Sequence, residues 1–78
     1  MNQSLAELKV GQSGTVLNIE TTGTMRRRLL DLGVIEGTTI GCLHKSPSGN
    51  PVAYTIRGAV IALRNDDSEK IKIASIEE

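Results

Sequence analysis

The sequence predicts a small all-β protein with one short helix, in which five strands curve into a barrel. The chain has 78 residues and eight glycines, and seven of these glycines stand between short periodic segments. Most of the segments are rich in β-branched residues, and strands this short with turns this frequent are typical of a small barrel. We expect a single domain over residues 1–78, held together by packing, because its one cysteine cannot close an internal disulfide.

The first half of the chain is predicted to contain a short helical turn, one strand and the helix. Ser4 and Glu7 have the spacing of a capping box, which predicts a turn that begins at Leu5. The β-branched segment Thr15–Glu20 is predicted to be the first strand. A helix over about residues 24–32 follows from three apolar side chains at helical spacing, which are Met25, Leu29 and Leu32.

The end of this helix also has a recognisable pattern. Gly33 stands where a left-handed C-cap is expected, and Val34 is expected to fold back onto Leu29. A helix of about two turns is not stable alone in water. We therefore expect it to dock on the sheet.

The second half of the chain is predicted to be β-structure throughout. Four further strands are expected over Thr38–Lys45, Val52–Arg57, Ala59–Arg64 and Ile71–Ile73. Tyr54 alternates with two apolar residues, so we expect it in the core with its hydroxyl in water. Gly41 is the one glycine inside a predicted strand, which indicates a bend or bulge. Arg57 and Arg64 end two strands, and we expect them to pair with the acidic turn Asp66-Asp67.

Composition excludes several classes of function. Lysine and arginine together number nine, as do aspartate and glutamate, and the only aromatic residue is Tyr54. A neutral chain with one aromatic side chain does not fit a general nucleic-acid binder. The N-terminus lacks the pattern of a signal peptide, and the apolar run Ala59–Leu63 is far shorter than the ~20 residues of a membrane span, so we expect a cytoplasmic protein without direct membrane insertion.

The sequence contains little that would support a catalytic function. The single histidine and the single cysteine lack an orienting third group, and the chain has no phosphate-binding loop of the P-loop pattern. We therefore expect a protein that is not an enzyme.

Two groups of residues form recognisable motifs. The first is Met25–Val34 followed by Gly37-Thr38, and the second is Asn50-Pro51 with Tyr54–Gly58 and Ile61–Arg64. Together they resemble the signatures of the FeoA family of bacterial ferrous iron transport. The resemblance extends from about Leu5 to Ile76, with Asn50 and Ser68 where the family leads us to expect Asp and Ala. It implies a five-stranded SH3-like barrel with a helix inserted after the first strand. It also implies an accessory protein that binds FeoB, the membrane ferrous iron permease with a GTP-binding domain, which would recruit it to the inner face of the membrane.

The candidate partner-binding residues form two groups. Arg26, Arg27 and Arg28 are a basic run on the short helix, and Leu30 lies far from the core-facing stripe, where it would be exposed. A solvated charged face is the ordinary explanation of such a run. The second group is the turn that contains Pro47, Asn50 and Pro51, since binding residues often lie on loops.

A metal site is a weaker prediction. Cys42 and His44 are two residues apart in a predicted strand, which would place them on one face. Two ligands do not make a complete site, and a small buried thiol is the more common role of a free cysteine. We expect no resident cofactor and at most weak binding of a transition metal.

Two alternative functions remain open at this point. The segment Lys9–Val16 loosely resembles the glycine-containing turn of ribosome-associated small barrels, which would indicate an RNA-binding protein. A stand-alone metal-sensing domain, related to the C-terminal domain of metal-dependent transcription regulators, would depend on Cys42 and His44.

Overall fold

The computed structural model describes residues 3–77, which form one antiparallel sheet with a helix on a connection between two strands. The elements in chain order are β1 (Gln3–Ser4), a 3₁₀ turn (Leu5–Glu7), β2 (Ser13–Ile19), α1 (Gly23–Asp31), β3 (Thr39–Lys45), β4 (Val52–Ile56), β5 (Ala59–Leu63), α2 (Asn65–Ser68) and β6 (Ile71–Glu77). The all-β class with one short helix after the first long strand is confirmed.

The sheet differs from the predicted barrel in its closure, in its number of strands and in the length of its last strand. Its strand order is β1-β6-β2-β3-β4-β5, so six strands form an open sheet that ends at β1 and β5. The additional strand is β1, in which Gln3 and Ser4 pair with β6. Strand β6 is also longer than predicted, because its pairing with β2 continues as far as Ser13 and Glu77.

The core of the protein is almost entirely aliphatic. In β4 the alternation is as predicted, since Val52, Tyr54 and Ile56 are buried while the residues between them are half-buried. Burial of apolar side chains is the main stabilising contribution in a domain of this size. The other fully buried core side chains are Leu5, Leu8, Val16, Leu29, Val34, Ile40, Leu63, Ile71 and Ile73.

Tyr54 is buried in full, and this corrects the prediction that its hydroxyl would be in water. The side chain is 1% exposed, and its hydroxyl is hydrogen-bonded to the side chain of Ser68 in α2. Ser68 is itself fully buried, and its Oγ donates to the carbonyl of Asn65. The four-residue helix α2 therefore supplies a buried hydrogen-bond partner for the Tyr54 hydroxyl, which a turn exposed to solvent would not do.

The irregularity in β3 lies two residues beyond the predicted position. Gly41 pairs regularly with Thr55, and the register shift lies between Cys42 and His44. A Cβ at Gly41 would lie 2.8 Å from Oγ1 of Thr55 on the neighbouring strand. The glycine therefore permits close packing of two strands, and the bulge is at Leu43.

Candidate partner-binding surface

The basic run lies at the surface because helix α1 packs its opposite, apolar stripe against the core. Hydrogen bonds at its C-terminus fix the end of the helix. Leu29 is fully buried, and Met25 and Leu32 pack against the core, as the helical spacing predicted. At the end of the helix the Val34 N–H donates to the Leu29 carbonyl and the Gly33 N–H to the Leu30 carbonyl. These two bonds form the predicted Schellman motif, with Gly33 at a φ of 93°.

Arg26 is held by the strand that precedes the helix. Its Nη1 donates to the carbonyl of Ile19 at 2.9 Å, although the side chain as a whole is exposed. The sequence showed only that Arg26 has an apolar residue at i+4 and hence no partner within the helix. The contact spans seven positions along the chain and depends on how α1 lies against the end of β2.

Leu30 forms the apolar part of the surface beside Arg26, as predicted. It is 41% exposed, and Ile35, which the sequence reasoning did not single out, is 50% exposed. Both line a shallow depression that also includes Leu17, Ile19 and Arg26. Two adjacent apolar residues after a C-cap, Val34 and Ile35, could have indicated that one of them is exposed.

A second shallow depression lies on the other side of Leu30. Its lining includes Gly23, Arg26, Arg27, Leu30 and Asp31. Because Arg26 and Leu30 line both depressions, they form a ridge between them. We call Arg26, Arg27, Leu30 and Ile35 the α1 surface.

The charge on this surface is not neutralised by internal ion pairs. Within residues 3–77 the salt bridge of the structure joins Lys72 Nζ and Glu20 Oε1 at 3.8 Å, and none involves Asp31. The helix thus keeps three arginines against one aspartate. Arg28 is exposed but lines neither depression. Of the three arginines, Arg26 and Arg27 therefore border the depressions, and Arg28 lies outside them.

The turn with Pro47, Asn50 and Pro51 is ordered by hydrogen bonds of its own. The Oγ of Ser46 donates to the Pro51 carbonyl at 2.7 Å, and the Gly49 N–H donates to the Ser46 carbonyl at 2.7 Å. Pro47 is exposed, whereas Asn50 and Pro51 are half-buried.

Asn50 connects this turn to the start of α2. Its Oδ1 accepts the backbone N–H of Asn65 at 3.0 Å, and Asn65 Nδ2 donates to the Gly49 carbonyl at 3.4 Å. The side chain that was predicted to contact a partner therefore has a structural role in the chain itself.

The two predicted groups of binding residues lie at opposite ends of β3. Helix α1 precedes β3 and the turn Ser46–Pro51 follows it. Strand β3 has seven residues, which separates its ends by roughly 20 Å. The structure thus brings Arg26, Arg27 and Leu30 together and leaves Pro47 and Pro51 on a separate surface.

Cys42 and His44 do not share a face, contrary to the prediction from their spacing. The bulge at Leu43 pairs Cys42 with the buried Tyr54 and His44 with the neighbouring Ala53. Cys42 is 4% exposed and burial raises the pKa of its thiol, whereas His44 is exposed. Across residues 3–77 no three His, Cys, Asp or Glu side chains are grouped so that they could hold a metal ion.

The sequence profile of the FeoA domain matches residues 3–75, which is nearly the whole chain. The chain belongs to the FeoA family. A relative in Porphyromonas gingivalis, an Fe(2+) transport protein A/Fe(2+) transporter FeoB fusion protein, is 33% identical over 72 residues. That alignment covers 92% of this chain and 8% of the fusion protein, so the chain spans a small part of its relative's length.

The solved structures that are similar to this FeoA-family chain include those of two FeoA proteins. The FeoA protein of Chlorobium tepidum is 31% identical with a TM-score of 0.86, and the match covers 91% of this chain and 68% of that one. Stenotrophomonas maltophilia FeoA complexed with zinc is 25% identical with a TM-score of 0.86, covering 96% and 95%. The latter is described as a prokaryotic SH3 domain protein, and this fold is the SH3-like one expected from the sequence.

The helices of the FeoA-family chain are short. Neither α1, with nine residues, nor α2, with four, is long and apolar enough to cross a membrane, and this holds for every helix within residues 3–77.

Proposed function

We propose that this FeoA-family protein is a cytoplasmic binding module that docks on a FeoB-type ferrous iron permease through its α1 surface and supports iron uptake. The observation that carries the proposal is the fusion protein of Porphyromonas gingivalis, which joins transport protein A and FeoB in one chain. Two domains encoded in one chain are held at a high effective concentration, which favours contact between them. We propose that this chain and its FeoB make the same contact as two separate proteins.

The α1 surface has the chemistry that such a contact needs. Leu30 and Ile35 supply exposed apolar area, and Arg26 and Arg27 lie at its rim without ion pairs in the described part of the chain. An apolar centre with an arginine rim is typical of protein–protein interfaces. The complementary surface on the partner would carry an apolar side chain flanked by carboxylates.

The decisive experiment is an NMR titration of the full ¹⁵N-labelled chain with the soluble GTP-binding domain of its FeoB. We expect chemical-shift changes at Arg26, Arg27, Leu30 and Ile35, and none at Ser48 and Asn50 in the turn that contains Pro47. Leu30→Glu is expected to weaken binding at least tenfold, because it buries a carboxylate at the centre of the interface. Arg28→Gln lowers the net charge by the same one unit on the same helix outside the ridge, so it serves as the matched control.

Two outcomes would contradict the proposal. If Leu30→Glu leaves the fold and the affinity unchanged, the α1 surface is not the docking site. If the GTP-binding domain and the detergent-solubilised full permease both leave the spectrum unchanged, FeoB is not the partner. Salt-dependent retention on RNA would then favour the RNA-binding alternative, because phosphate contacts release counterions.

A further inference from the structure

Strand β5 forms one end of the sheet and has an unprotected edge. Within residues 3–77 it pairs with β4 alone, and its sequence Ala59-Val60-Ile61-Ala62-Leu63 contains no charged residue and no proline. Its pairing with β4 runs without a register shift. Edge strands are usually protected from association by charge, proline, a bulge or very short length. The opposite end, β1, has only two residues, so β5 is the edge that lacks this protection.

The hairpin geometry determines which backbone groups point away from β4. Arg57 and Gly58 form a two-residue turn in which both residues have positive φ, 50° and 86°. Such a turn closes on a hydrogen-bonded pair, here Ile56 and Ala59. Since bonded pairs alternate along the ladder, Ile61 and Leu63 also bond to β4. The N–H and C=O groups of Val60 and Ala62 therefore point to the open edge.

We propose that a second copy of this chain pairs with β5 in an antiparallel arrangement, across a two-fold axis at Ile61. In this register Val60 of each copy lies opposite Ala62 of the other, and the two residues exchange both of their outward hydrogen bonds. The pairing makes four bonds in total. It also covers Val60, which at 64% is the most exposed of the large apolar side chains of residues 3–77.

The charges at the two ends of β5 favour this antiparallel partner over a parallel one. Arg57 precedes the strand, while Arg64, Asp66 and Asp67 follow it and have a net negative charge. Asp66 and Arg57 were expected to pair within the chain, but neither is in an ion pair in the described part of it. An antiparallel two-fold arrangement brings the Arg57 end of each copy to the acidic end of the other, and opposite charges across paired strands are stabilising.

The expected association is weak, because two edge strands of five residues bury much less than the area of a standard stable interface. The chain should therefore be monomeric at micromolar concentration and dimeric in the millimolar range. The outward backbone groups belong to Val60 and Ala62, which line neither depression of the α1 surface, so this self-association does not depend on the proposed docking on FeoB.

The test is analytical ultracentrifugation of the full chain over this range, with mixed-label NMR to detect contacts between Val60 and Ala62 of different copies. Ala62→Pro removes one outward N–H per copy and should weaken the dimer about thirtyfold, since two of the four bonds are lost. Ala62→Val keeps the N–H and is the matched control. Val60→Lys is a surface change that leaves the backbone intact, and it should also abolish the dimer. This second variant keeps the test possible if Ala62→Pro does not fold.

Variants of Arg57 and Asp66 test the contribution of charge to the pairing. Arg57→Glu should weaken self-association, and adding Asp66→Arg in the same chain should restore it. A chain that stays monomeric throughout the millimolar range overturns the proposal. So does a dimer that persists in both Ala62→Pro and Val60→Lys.

Discussion

The hydroxyl of Tyr54 in β4 is hydrogen-bonded to the side chain of Ser68 in α2, and both residues are fully buried. This contact connects the only aromatic side chain of the protein to the short helix that leads into β6. Buried polar groups need such partners, because a hydroxyl without one in an apolar core is destabilising.

Removal of the Tyr54 hydroxyl should lower the free energy of unfolding. Tyr54→Phe deletes one partner of a buried bond, so we expect a loss of about 1 kcal/mol. Ser68→Ala should cost a similar amount, and the double variant should cost less than the sum of the two. Chemical denaturation of the four proteins measures this coupling. Strictly additive losses would show that the bond contributes nothing.

Alkaline pH should destabilise the fold through Tyr54 and Cys42. Burial raises the pKa of Tyr54 above its usual 10 and that of Cys42 above its usual 9, so both groups ionise first in the unfolded chain. The unfolded state then binds fewer protons, and stability falls as pH rises above these values. Tyr54→Phe should flatten the decline above pH 10. The measurement is the denaturation midpoint against pH, and an equally steep decline in Tyr54→Phe would contradict this assignment.

Gly41 should be intolerant of even a single added methyl group. The Cβ of Gly41→Ala would lie 2.8 Å from Oγ1 of Thr55, a stiff β-branched side chain, so we expect a loss of about 1–3 kcal/mol. Adding Thr55→Ala removes the clashing oxygen and should recover most of that loss. Thr55→Ala alone is the control. Thermal unfolding of the three variants tests the prediction, and a double variant no more stable than Gly41→Ala would refute it.

Asn50 should matter for stability through its contact with Asn65. Asn50→Ala leaves the Asn65 N–H without its acceptor and should cost about 0.5–1.5 kcal/mol, while Asn50→Asp retains an oxygen at that position and should cost less. Ser48→Ala, which removes an exposed bond in the same turn, is the matched control. Denaturation midpoints distinguish the variants. Equal losses in Asn50→Ala and Asn50→Asp would indicate that the side-chain oxygen is not what stabilises the turn.

Metal binding should not depend on Cys42 and His44 together. The bulge at Leu43 separates the two side chains, and Cys42 is buried, so neither can complete a site with the other. We expect calorimetric titrations of zinc and ferrous iron, under reducing conditions, to be the same for wild type, Cys42→Ala and His44→Ala. Loss of a stoichiometric binding step in both variants would show that the two residues do share a site.

Local pattern was sufficient for most of the fold. The alternation of Val52, Tyr54 and Ile56, the stripe of Leu29 and its neighbours, and the glycine C-cap at Gly33 are each determined by residues within a few positions of one another. Backbone periodicity and steric preference act over that range, so the sequence determined these elements, the order in which they occur and the exposure of Leu30.

Contacts between distant segments were decided only by the tertiary structure. The bulge at Leu43, the bond from Arg26 to Ile19 and the burial of Tyr54 against Ser68 depend on the register and packing of neighbouring elements. A shift of one residue in register moves a side chain to the opposite face of a sheet, and periodicity cannot detect it. For the same reason the separation of Cys42 from His44, and the open edge at β5, appear only once the strands are paired.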